Sequence, residues 1–98
     1  MLALYVNYNE RERLPGGGQA VAIIIGKMVP EALATKLESG SRVVLFDEET
    51  RCEGVLRHGK WLKGWVADLI PETIRDLQIG EFERLTVAMK RAALRITK

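Results

Sequence analysis

The run Ala20-Val21-Ala22-Ile23-Ile24-Ile25 constrains this chain more than any other stretch. Six consecutive apolar residues, half of them isoleucine, suit a strand covered on both faces, since a strand with one wet face alternates apolar with polar. A strand buried on two sides needs partner strands beside it and further layers above and below. The run therefore predicts a central strand in a mixed α and β domain. A membrane helix needs about 20 apolar residues, and no uninterrupted apolar run in the chain exceeds six, so no membrane partner is expected.

The 98 residues are predicted to form a single domain over 1–98, because compact domains usually hold about 100 to 200 residues. Hydrophobic residues make up 47% and charged residues 29%, a globular balance that excludes a disordered or collagen-like chain. Cys52 is the single cysteine, so no internal disulfide can form and a reducing, cytoplasmic compartment is expected. Residues 1–8 lack a basic lead-in and a long apolar stretch and run into the charged segment Glu10 to Arg13, so no secretory signal is expected. One histidine, His58, with one cysteine cannot make a zinc cluster, and no metal or cofactor is expected. The loop Leu14-Pro15-Gly16-Gly17-Gly18-Gln19 superficially suggests a phosphate loop. Its spacing fails: Val21 stands where a glycine is required and Met28 where Ser or Thr is. It reads as a flexible connection between strands.

Along the chain, Leu2, Leu4, Val6 and Tyr8 alternate as in a strand with one buried face. After the apolar run comes a short helix opening at Pro30, carrying Leu33 and Leu37 and ending before Gly40. Residues 42–46 and 51–57 form a hairpin around Asp47-Glu48-Glu49-Thr50, and residues 61–67 a third strand of the same meander. Gly54 inside the second arm predicts a bulge or sharp bend, and Gly64 another. Pro71 opens a helical stretch ended or kinked by Gly80, and Phe82, Leu85, Met89, Ala92, Ala93 and Ile96 then recur at helical spacing. The expected fold is α+β: a small, strongly bent, mostly antiparallel sheet of about five strands, partly barrel-like, with a short helix after strand two and a longer amphipathic C-terminal helix. Over Leu2 to Ile70 this glycine-punctuated meander is similar to the small five-stranded barrels of the Src-homology type. Such barrels serve binding modules, translation-associated domains and toxins alike.

Three features bear on function. On a strand, Trp61, Lys63 and Trp65 share one face, and Arg51, Arg57 and Lys60 are near in sequence. Rings that stack bases beside cations that meet phosphates suit single-stranded nucleic acid; the same rings suit a core position under the last helix or a protein interface. The charge is also unequal along the chain. Residues 1–50 carry five basic against seven acidic groups, net −2, and residues 51–98 carry ten against six, net +4. From Arg84 onward Lys90, Arg91, Arg95 and Lys98 follow without a carboxylate, which suits either a phosphate footprint or a helix C-terminus complementing its dipole. Finally, Val87 and Leu94 lie off the main apolar stripe, seven residues apart, as a seam for a homodimer would. No catalytic constellation emerges. The leading expectation is a non-enzymatic macromolecule-binding module, nucleic acid ahead of other ligands. The alternatives are a homo-oligomeric interaction protein and a toxin-like small barrel, which resembles certain growth-inhibiting toxins of bacteria without carrying a signature of them.

Overall fold

The computed structural model describes residues 1–59 and 64–95. They form β1 (Leu2–Tyr5), β2 (Arg11–Arg13), β3 (Gln19–Ala22), a 3-10 helix (Glu31–Lys36), β4 (Arg42–Phe46), β5 (Thr50–His58), β6 (Trp65–Asp76) and α1 (Glu81–Leu94). The strands make one six-stranded mixed sheet in the order β1-β4-β5-β6-β3-β2, in which only β1 and β4 run parallel. The fold is thus α+β with a C-terminal helix. Among the described residues no helix is long and apolar enough to cross a membrane.

The apolar run starts as a two-faced strand, with Ala20 and Val21 both fully buried on opposite faces of β3. It is not central: β3 lies between β6 and the edge strand β2, and it ends at Ala22. Ile24 and Gly26 then enter a tight turn, with the Gly26 amide donating to the Val29 carbonyl (2.7 Å) and Gly26 at φ 92°, where glycine carries no Cβ penalty. β1 also departs from its expected pattern. Ala3 is buried along with Leu4, because α1 packs against β1 and supplies a second layer.

The sheet does not close into a barrel. Closure requires the two edge strands to pair, and here each edge is managed separately. At β1, α1 lies alongside and the Tyr5 amide donates to Met89 Sδ (3.4 Å). At the far side β2 has only three residues, with Arg11 and Arg13 exposed, a short charged edge that discourages further pairing. The helix expected after strand two is instead a single 3-10 segment following β3, since Arg11–Arg13 itself joins the sheet.

The helix expected from Pro71 is absent: β6 runs on to Asp76. Arg51 pairs with Arg75 but Glu53 with Ile70, so β6 bulges between Ile70 and Arg75. Pro71 sits in this bulge, where a missing N–H costs no ladder bond. The Thr73 hydroxyl fills the gap, accepting from the Glu53 amide (2.7 Å) and donating to the Ile70 carbonyl (2.7 Å). Gly54, expected at a bulge, is in regular register opposite Val43 and Leu69. Its role is close approach. A Cβ there would stand 2.8 Å from Leu45 Cδ1 and 2.9 Å from the Asp68 carbonyl oxygen. Gly64 is at φ 88°, in the bend expected for it.

On β5 the burial has a period of two, with Cys52, Gly54 and Leu56 inward and Arg51, Glu53, Val55 and Arg57 half-buried on the other side. The core joins Leu4, Val6, Val21, Leu33, Val43, Leu45 and Leu56 with Met89 and Ala93 of α1. Tyr5, Phe46 and Phe82 form a mutual aromatic contact with centroids 5.7 to 6.0 Å apart. Phe82, Leu85, Met89, Ala92 and Ala93 thus face the core as expected, while Ile96 lies outside the described residues.

Gly54→Ala tests the close approach. Replacing glycine stabilises through the unfolded chain by about 0.4–1 kcal/mol where the backbone is permissive, but overpacking costs about 1–3 kcal/mol and one obstacle here is backbone. The variant is expected to melt at least about 4 °C lower. Gly18→Ala, whose nearest obstacle is the flexible tip of Leu14 at 3.2 Å, is expected to change Tm little. Equal effects in thermal unfolding would remove the packing argument.

Candidate functional site

Two of the cations expected to meet a ligand already hold carboxylates of the chain. Arg57 on β5 donates through Nε to both oxygens of Asp68 on β6 (3.0 and 2.8 Å) and through a terminal nitrogen to Glu12 on β2 (2.9 Å). Glu12 is buried, and this pairing lets a carboxylate lie inside at the edge of the sheet. Arg51 donates to Glu81 (3.1 Å), which also accepts a bidentate pair from Arg75 (2.8 and 2.6 Å) and the Gln78 amide (2.9 Å). The Arg75 guanidinium, then the Gln78 amide and Arg51, hold the Glu81 carboxyl well below its ordinary 4.5, at about 2. Glu81 is also the first residue of α1, where a negative charge suits the helix dipole.

Lys60, Trp61 and Lys63 lie outside the described residues. Trp65 is half-buried against the core and stacks on the exposed His58, with centroids 4.2 Å apart and planes at 30°. Register explains the stack, because His58 and Trp65 are direct cross-strand partners. Cys52 is buried, and burial pushes its thiol up from the ordinary range, the opposite of what a nucleophile requires. The Tyr8 hydroxyl donates to the Leu45 carbonyl (2.7 Å) beside Cys52 Sγ (3.6 Å) and is itself raised by burial. The Glu48 carboxylate, hydrogen-bonded to the Tyr5 hydroxyl, pushes that phenol up to about 12. Val87 and Leu94 are exposed on α1, at 45% and 70%.

The remaining cations converge elsewhere. An open cleft of about 570 Å³ lies where α1 passes β1, β4 and the 3-10 helix. Lys36 comes from the end of the 3-10 helix, Ser41 and Arg42 from the start of β4, and Ala88, Arg91, Ala92 and Arg95 from α1 and its C-cap; Leu2, Val43 and Leu56 are its apolar lining. Among the described residues, four cationic side chains line this cleft and no carboxylate does. Arg42 is tethered by Glu53 (2.5 Å). Among the described residues, no carboxylate stands within ion-pair distance of Lys36, Arg91 or Arg95. The helix builds its wall by spacing: 88, 91, 92 and 95 fall on one face at i, i+3, i+4 and i+7. The two alanines keep that face low beside the arginines. This stripe was readable in the sequence as small residues alternating with arginines, but Ala92 also fits the adjacent core stripe, and Lys36 and Arg42 come from distant segments.

The cleft sits at the same end of β5 as the aromatic stack. Leu56 lines it, and His58 lies two residues on, about 7 Å along the strand and on the same side. Chemically the arrangement offers cations, the Ser41 hydroxyl and the His58–Trp65 ring pair. Among the described residues no three His, Cys, Asp or Glu side chains are grouped to hold a metal ion.

No protein-family model matches the chain, and comparison with curated proteins and with solved structures finds no similar chain.

The Glu81 cluster gives a pH prediction. A carboxyl depressed from 4.5 to about 2 contributes stability that is complete above the higher value and is lost as pH falls toward the lower. Urea midpoints of the parent protein should exceed those of Glu81→Gln at neutral pH, with the gap closing through this acid window. A gap that is constant with pH would show that the carboxylate's charge is not what anchors the helix.

Proposed function

We propose that this chain is a non-enzymatic module that binds single-stranded nucleic acid, holding its phosphates in the cleft lined by Lys36, Arg42, Arg91 and Arg95. The observation that carries the reading is the convergence of these four cations, from three separate elements, on an open space that no carboxylate lines among the described residues. A helix C-terminus repels anions through its dipole, so the arginines there must supply the attraction themselves. Cations spread along a groove suit a polymer with charge at regular intervals better than one small anion. The His58–Trp65 stack favours a single strand over a duplex. An exposed imidazole backed by an indole offers a base a face to stack on, next to the phosphate track. Arg51 and Arg57 act in this reading as structural partners of Glu81, Glu12 and Asp68 rather than as ligand contacts.

The test is fluorescence anisotropy with a labelled oligothymidylate of about a dozen nucleotides, a length within the range such sites cover. Four phosphate contacts to a single strand predict that log affinity falls with log salt at a slope of about −3. The double variant Arg91→Ala/Arg95→Ala should flatten that slope by about one to two. His58→Ala should cost about fivefold in affinity, the lower end of a base-stacking contribution, without changing the slope. No binding at low salt, or binding indifferent to both arginines, overturns the proposal.

A further inference from the structure

We infer that the outward face of α1 is a docking surface for an acidic amphipathic helix of a partner protein. The inward stripe, Phe82, Leu85, Met89 and Ala93, is already packed against the core. On the opposite side Arg84, Val87, Arg91 and Leu94 follow at i, i+3, i+7 and i+10, one narrow face over three turns on which cation and aliphatic alternate. All four are exposed, and a shallow cleft of about 370 Å³, lined by three of them with Ala88 and the carboxylate Glu83, runs beside Arg84, Val87 and Arg91. Lys90 flanks the same face, and after Glu83 the helix carries no carboxylate to neutralise any of these charges.

The occupant follows from charge and width. An apolar seam one residue wide, repeating every seven, fits a second helix whose own aliphatics repeat likewise. Arg84 and Arg91 on one flank of that seam and Lys90 on the other call for carboxylates on the flanks of the partner, where bidentate pairing with the arginines adds orientation to attraction. A second copy of this chain has the wrong sign. Opposing Val87 to Leu94 in an antiparallel pair sets Lys90 against Arg91, and a parallel pair sets each cation against itself. A lipid surface has the right sign but needs a broad apolar face, usually with aromatic anchors, and α1 uses its broad face and its one aromatic, Phe82, inside the molecule.

The experiment uses the full chain and a fluorescein-labelled synthetic peptide of repeated heptads, with leucine at the seam positions and glutamate on both flanks. A peptide of identical composition with the leucines moved out of register is the control. The in-register peptide is expected to bind at least about tenfold more tightly than the control, and Val87→Gln, a helix-compatible change at an exposed site, to weaken it by about tenfold, as loss of a buried valine does. Oligothymidylate binding should be unaffected by Val87→Gln, so failure of this inference and failure of the nucleic-acid reading are separable. Leu94→Gln should reproduce the loss, and circular dichroism of both variants verifies that the helix is retained. Equal binding of the two peptides overturns the inference. So do a dimer in sedimentation that Val87→Gln dissociates and flotation with anionic phosphatidylglycerol vesicles that Val87→Gln abolishes.

Discussion

The Glu81 carboxylate gathers Arg75, Arg51 and the Gln78 amide at the first residue of α1, and the direction of the helix from that point decides what the rest of the surface becomes. Arg51 belongs to β5 and Arg75 to the end of β6, so the contact ties the start of the helix to the two longest strands. Starting there, the helix passes alongside β1, and Met89 receives the Tyr5 amide at an edge that would otherwise lie open. Fourteen residues at about 1.5 Å each carry the chain some 20 Å, and its last turn brings Arg91 and Arg95 to the start of β4. A carboxylate near a helix N-terminus contributes little on a free surface. Here its partners are held by a sheet, so it fixes orientation as well as charge.

That sheet is in turn shaped by two local departures from a regular ladder. Gly54 lets the neighbouring strands come closer than a side chain would permit, bringing Leu45 and the Asp68 carbonyl over the same point. Just beyond it β6 bulges, and the Thr73 hydroxyl stands in for the missing backbone partner. A bulge bends and twists its strand more than regular pairing does. After it, Arg75 is opposite Arg51, and the two guanidinium groups, which would repel if left alone, share the Glu81 carboxylate. Sheet irregularity and helix anchoring are thus one arrangement.

Much of this was legible in the residues. The apolar run at 20–25 gave β3 with both faces buried, though only as far as Ala22, the alternation over 51–57 gave β5, and the stripe from Phe82 to Ala93 gave α1 and its inward face. These are local periodicities, which a single sequence carries. What escaped depended on partners distant in the chain. Pro71 reads as a helix start until Thr73 is seen to repair the ladder for Glu53, twenty residues earlier. Arg51 and Arg57 read as free cations until Glu81 and Glu12, 30 and 45 residues away, are brought to them. The barrel likeness failed for the same reason, because nothing local in β1 announces that a helix rather than another strand will lie at its edge. The cleft was hidden because only one of its walls, the arginine and alanine stripe of α1, is continuous in sequence.

Net charge conceals the polarity that results. Asp47, Glu48 and Glu49 in the β4–β5 turn lie near the start of α1, where Glu48, Glu49, Asp76 and Glu83 border a second cleft, while Lys36, Arg42, Arg91 and Arg95 gather at its far end. The helix dipole is positive at the acidic end and negative at the basic end, so each cluster is stabilised by the terminus it occupies. A total of +2 is therefore the residue of two opposed patches rather than a weak uniform field. On the proposed nucleic-acid reading, the acidic end would repel a phosphate polymer and the basic end attract it, so that the field would orient the encounter before any contact formed. Internal ion pairing sharpens this further: Arg51, Arg57 and Arg75 are each satisfied by a carboxylate of the chain, whereas Lys36, Arg91 and Arg95 at the cleft have no carboxylate within ion-pair distance among the described residues.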